Sequence, residues 1–145
     1  MSQVENFLTV EQEQVIINTI KIAEKNTSGE IRVHLEENTD KPPLERALEV
    51  FYSLNMDKTQ QRNGVLFYVA VESKQFAIIG DEGINAKVPE NFWDLEKEIV
   101  LSHFKKGAFS KGLELAIVEV GNKLKVFFPY LSNDSNELSD EISKG

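Results

Sequence analysis

Seven consecutive apolar residues, Val65, Leu66, Phe67, Tyr68, Val69, Ala70 and Val71, constrain the fold more than any other stretch of this chain. A run this short and this rich in β-branched and aromatic side chains reads as a strand. With no polar face to give to water, that strand must be covered on both sides. Glu72, Ser73 and Lys74 then make a tight turn into a partner strand over 75–79, so the run sits inside a sheet and not at its border.

The layers that cover it are legible on either side. Thr9 with Gln12 three residues later forms a capping box, and Ile16, Ile20 and Ala23 follow at helical spacing, predicting a helix over 10–25. Asn26, Thr27, Ser28 and Gly29 stop it. Ile31, Val33 and Leu35 then alternate with Glu30, Arg32 and His34, which predicts a strand with one polar face. Pro42 and Pro43 open a second helix whose apolar stripe is Leu44, Ala47, Leu48, Phe51 and Leu54. Pro89 opens a third, carrying Phe92, Trp93, Ile99, Val100 and Phe104 and stopped at Gly107. A fourth presents Leu113, Ala116, Ile117, Val120 and Leu124 until Pro129 ends it.

This order predicts an α/β chain: a three-layer α-β-α domain with a small mixed sheet between helices. The first and second strands are expected to pair in parallel through a right-handed crossover, with the third antiparallel to the second. One domain spans 1–130, and 131–145 is an acidic C-terminal tail. At 145 residues a single core is the default.

Composition removes several chemistries. The chain has no cysteine, which excludes thiolate metal sites, disulfides and cysteine nucleophiles. Its net charge of −8 disfavours nucleic acid, whose binding draws on clustered Lys and Arg, and favours cations. No secretory leader and no apolar run of membrane-spanning length is present, so the expectation is a cytoplasmic protein without membrane insertion. There is no P-loop, no G-x-S-x-G and no H-E-x-x-H. His34 and His103 are read as structural or surface residues.

The topology brings the loop before strand two, 56–63, to the same end of the sheet as the loop after strand three, 80–88. Gly80, Asp81, Glu82, Gly83, Ile84 and Asn85 form a flexible acidic loop there, with oxygen donors set among glycines. Hard cations take such ligands. Asp57, Asn63, Asp81, Glu82 and Asn85 are therefore the candidate metal ligands, with Ca²⁺ or Mg²⁺ as the cofactor. An EF-hand is excluded, because numbering from Asp81 places Gly83, Ala86 and Phe92 where that loop needs ligands and a glycine. Two further acidic groups compete: Glu36, Glu37 and Asp40 at the opposite end of the sheet, and Asp134, Glu137, Asp140 and Glu141 in the tail, which can fold back over the loops.

Arg62-Asn63-Gly64 opening the apolar strand, Gly80-Asp81-Glu82-Gly83 after the hairpin, Val88-Pro89, and the late element Phe104, Gly107, Phe109 and Gly112 together resemble the TPM domain family. That family is named for a thylakoid lumen protein, a photosystem II repair protein and a nematode receptor modulator. The resemblance covers roughly 10–128 and is closest to stand-alone bacterial members. It implies a sheet of about four strands, one more than the pattern reveals, and divalent cations bound at loops around the sheet end. It also implies that Asp81 is the acidic residue of the post-hairpin loop. Acid phosphatase activity is attributed to the plant branch.

The leading functional expectation is a divalent-metal-binding domain in which metal orders the loops in a regulatory or interaction role. The alternatives are a weak metal-dependent acid phosphatase, for which only Lys58, Arg62 and Lys87 would lie near to hold phosphate, and a module for an unidentified protein partner with incidental metal.

Overall fold

The computed structural model describes residues 7–130 and 140–145. Helix α1 spans Val10–Glu24, and its capping box forms in both directions: Gln12 N–H donates to Thr9 Oγ1 at 3.0 Å and Thr9 N–H to Gln12 Oε1 at 2.9 Å. Strand β1, Glu30–Glu36, leads through α2, Pro43–Ser53, and the single 3₁₀ turn Met56–Lys58 into β2, Gly64–Ala70. A tight turn, with Lys74 at φ 55°, connects β2 to β3, Gln75–Gly80. The one-turn helix α3, Glu82–Asn85, precedes α4, Phe92–Lys105, and α5, Phe109–Phe127. The chain finishes on a two-residue strand, β4, Ser143–Lys144.

The four strands lie in the order β3-β2-β1-β4, with β1 parallel to β2 and β2 antiparallel to β3, as the sequence predicts. All seven residues of β2 are buried. One face of the sheet, built on Val33, Leu35, Phe67 and Val69, packs against α1, α4 and α5. The other, built on Leu66, Tyr68 and Ala77, packs against Ala47, Val50 and Phe51 of α2. The result is a three-layer arrangement with a mixed sheet in its centre.

Two details depart from the sequence pattern. The polar face of β1 is largely dry: Glu30, His34 and Glu36 are buried and Arg32 partly so, because β1 runs between β2 and β4 inside the sheet, and Glu36 at its end is covered by Arg46 of α2. The fourth strand comes from the tail: β4 pairs in parallel with β1, His34 opposite Ser143 and Leu35 opposite Lys144. Two polar residues carry no periodicity, so only their position against the β1 edge makes them a strand.

Candidate metal centre

The start of β1, the start of β2 and the end of β3 share one end of the sheet. Glu30 is opposite Gly64 in the ladder, and Gly64 accepts the Asp81 N–H at 3.0 Å. Glu30 and Asp81 thus lie two strand spacings apart, about 10 Å. Around this end the structure builds two separate acidic groups.

The first contains the loops expected to meet. They do meet: Gly83 N–H donates to the Arg62 carbonyl at 2.9 Å. The approach is so close that a Cβ on Gly83 would stand 2.3 Å from the Gln61 carbonyl oxygen. The stretch after β3 is not a flexible loop. It is the one-turn helix α3, because Asp81 caps it through the Glu82 N–H at 2.8 Å. Both Asp81 carboxylate oxygens also receive Arg62, Nε at 2.8 Å and Nη2 at 3.0 Å, and Arg62 Nη1 lies 3.3 Å from Glu82. Arg62 adopts φ 52° to make this bidentate pair. Asn85 spends its amide on the Gly80 carbonyl and its oxygen on Trp93 Nε1. Asp57 is partly exposed with Lys58 at 3.5 Å. A cation coordinated by Asp81 would compete with Arg62 for its carboxylate.

Asn63 is the exception in that group. It is 1% exposed and donates through Nδ2 to Ser28 Oγ, while no donor among the described residues reaches its Oδ1. A buried carboxamide oxygen without a donor is costly to maintain and is a competent ligand for a hard cation.

The second group was not anticipated as a set. Glu24 from the last turn of α1, Glu30 from β1 and Asp140 from the returning tail bring carboxylate oxygens within 4.8 Å of one another. Asn63 is coupled to this group through the backbone, its carbonyl accepting the Glu30 N–H at 3.2 Å. Glu24 Oε2 accepts the Ile31 N–H at 2.8 Å, holding the carboxylate against the strand. Burial first, then the hydrogen bond to Asp140 and the charge of Glu30, push the Glu24 carboxyl far above the usual carboxylate range, against the Ile31 N–H, which pulls it down. Three acids this close cannot all be ionised without a counter-charge. In sequence the warning sign was Glu24 itself, since a carboxylate in the last turn of a helix opposes the helix dipole.

At the far end of the sheet the competing acidic group resolves differently. Glu36 is buried and satisfied: Arg46 donates through Nε at 2.9 Å and Nη2 at 3.0 Å, Tyr68 Oη donates a further bond, and His34 Nε2 lies at 3.1 Å. Burial acts to raise Glu36, but the bonds from Arg46, Tyr68 and His34 overcome it and hold the carboxyl at about 2. Burial also lowers His34, against its hydrogen bond to Glu36. This is a closed structural network with Arg46 as its counter-ion. Asp134 and Glu137 lie outside the described residues, whereas Asp140 belongs to the carboxylate trio.

A model of the TPM domain matches residues 1–123. The chain belongs to the TPM domain family. It is similar to the BA42 protein of the psychrophilic bacterium Bizionia argentinensis, whose NMR structure superposes with a TM-score of 0.91 at 49% identity over 100% of both chains. Two distant neighbours share the fold alone. The N-terminal domain of a P. gingivalis protein has a TM-score of 0.67 at 19% identity, covering 84% of this chain and 79% of that chain. The N-terminal domain of the Corynebacterium glutamicum cg2496 protein has a TM-score of 0.64 at 12% identity, covering 95% and 80%. A comparison with functionally described proteins gives no match. Among the described residues, no helix of this TPM domain is long and apolar enough to cross a membrane.

Proposed function

We propose that this TPM domain binds a divalent cation, Ca²⁺ or Mg²⁺, at the end of the sheet where β1 and β2 begin, in a regulatory rather than a covalent role. The observation that carries the reading is the approach of the Glu24, Glu30 and Asp140 carboxylates to within 4.8 Å. Hard cations take several oxygen ligands from flexible side chains, and a cation among these three replaces mutual repulsion with coordination. The loop set Asp57, Asn63, Asp81, Glu82 and Asn85 is a second location, supported by the buried Asn63 oxygen that no donor among the described residues reaches. The trio is favoured over it because Arg62 already neutralises Asp81.

Ca²⁺ and Mg²⁺ titrations followed by amide resonances test this, run on the parent chain, Glu30→Gln and Asp81→Asn. Expected is an affinity loss of about tenfold or more in Glu30→Gln, since ligand charge sets affinity in such sites, with Asp81→Asn close to the parent. The reverse ranking moves the site to the loops. No perturbation of the parent chain at millimolar cation sinks the proposal.

A further inference from the structure

Among the described residues β3 is the outer strand of the sheet, at the border opposite β4. The ladder sorts its backbone groups. Asp81 N–H donates to the Gly64 carbonyl, so in an antiparallel pair Gln75, Ala77 and Ile79 bond to β2 in alternation with it. Phe76, Ile78 and Gly80 therefore turn their N–H and C=O groups to the outer edge. At Gly80 the direction is visible: its carbonyl accepts Asn85 Nδ2 at 2.9 Å, and Trp93 Nε1 holds the Asn85 oxygen at 2.7 Å.

This edge forms the floor of a groove of about 510 Å³. One wall is α2, with Leu44 and Leu48, which are 63% and 45% exposed. The other is α4, with Trp93, Asp94 and Lys97. Trp93 stands so close that a Cβ on Gly80 would lie 2.2 Å from its Cζ2. Between the walls Phe76, Ala77, Ile78 and Ile79 are only 2 to 9% exposed, although they belong to an edge strand. The edge is recessed. It carries neither charge nor proline, the usual protections of an open strand, so the walls alone restrict what reaches it.

The geometry points to a docking groove for an extended peptide that adds to β3 as a further strand. Donors and acceptors recur there at every second residue, a spacing that another extended backbone matches. The side chains of such a peptide alternate between the walls. One set falls beside Leu44 and Leu48, on the face where Ala77 and Ile79 pack, and the other beside Trp93, on the face of Phe76 and Ile78. A second copy of this chain is the poorer occupant, because its own β3 is sunk between the same two helices and two recessed edges do not meet. Charge narrows the peptide further: Asp94 and Lys97 offset each other at the rim, and the net charge of −8 repels an acidic segment. From Phe76 to Gly80 the edge runs about 13 Å, the length of about five extended residues. The ligand is thus a neutral or basic stretch of that length with aliphatic side chains at alternate positions.

Trp93 is the single tryptophan, so its fluorescence reports the groove directly. The probes, added to the full chain, are acetylated and amidated seven-residue peptides with valine, isoleucine or leucine at alternate positions, threonine between them and lysine at both ends. Each is accompanied by two copies N-methylated at alternate residues, one in each register. Expected is a saturable change in Trp93 emission, with hydrogen exchange of the Phe76 and Ile78 amides slowed about tenfold or more. Methylation in one register should weaken binding about tenfold, by removing the donors that face β3, while methylation in the other leaves it near the unmodified peptide. Leu48→Lys, at an exposed position outside the core, should weaken binding by a similar factor of about ten. No saturable change with any peptide overturns the proposal. So does binding that is indifferent to both methylation registers, which marks an apolar cavity without strand addition, or indifferent to Leu48→Lys, which moves the peptide elsewhere. Phe76 and Ile78 amides already protected in the dilute free chain show that its own residues fill the edge, and protection that rises with protein concentration shows a second copy there; either result also overturns it.

Discussion

Glu96 offers the sharpest quantitative test of the structure. It sits on α4 facing α5, is 3% exposed, and no donor among the described residues reaches its Oε1. Burial first, then the nearby charge of Glu119, raise its carboxyl from 4.5 to about 7, with Lys123 pulling the other way. A tenfold change in proton affinity is worth about 1.4 kcal/mol, so ionised Glu96 costs the fold about 3 kcal/mol at most. The sign follows from linkage. Because the folded group is the weaker acid, its contribution is intact below the unfolded value of 4.5, falls as pH rises, and is fully lost above about 7. Glu96→Gln keeps the shape and removes the charge. It should therefore stabilise the protein by about 2 to 3 kcal/mol at pH 8, a rise in Tm of roughly 5 to 10 °C, and by less than about 1 kcal/mol at pH 5. Urea unfolding followed by the fluorescence of Trp93, the single tryptophan, measures both. Equal stabilisation at the two pH values, or a loss at pH 8, would refute the reasoning.

Two further perturbations probe the sheet ends. Removing the charge of Glu36 in Glu36→Gln takes the bidentate partner from Arg46 of α2, which keeps Glu49 and part of its hydration, and chemical denaturation at pH 7 should show a loss of about 1 to 3 kcal/mol. Because Glu36 titrates at about 2 when folded, its contribution is present above 4.5 and lost as pH falls towards 2; Glu36→Gln should flatten the acid-unfolding profile, and an unchanged acid limb would contradict the network. Gly83→Ala drives a methyl group into the Gln61 carbonyl and should cost about 1 to 3 kcal/mol while shifting the amide resonances of Arg62 and Asp81; a neutral variant would show that the two loops do not touch.

Much of the architecture is local and was legible as such. The Thr9 and Gln12 box, the apolar run of β2 and the stop at Pro129 each act within one turn or one strand, where residue spacing alone carries the message. The convergence of the loops on either side of β2 and β3 also followed from topology without coordinates, since a parallel pair and an antiparallel pair leave only one arrangement of ends. What surrounds each charge did not follow. Alternation marked Glu30, Arg32 and His34 as a polar face, but the place of β1 between β2 and β4 buries Glu30 and His34 and leaves only Arg32 partly exposed. Asp81 reads as an available ligand until Arg62, held at a left-handed φ, folds back onto it. Glu24, Glu30 and Asp140 look like a helix end, a strand start and a tail. They become one cluster because the chain returns after α5 to lay two residues along the β1 edge, and no local period encodes where a chain returns.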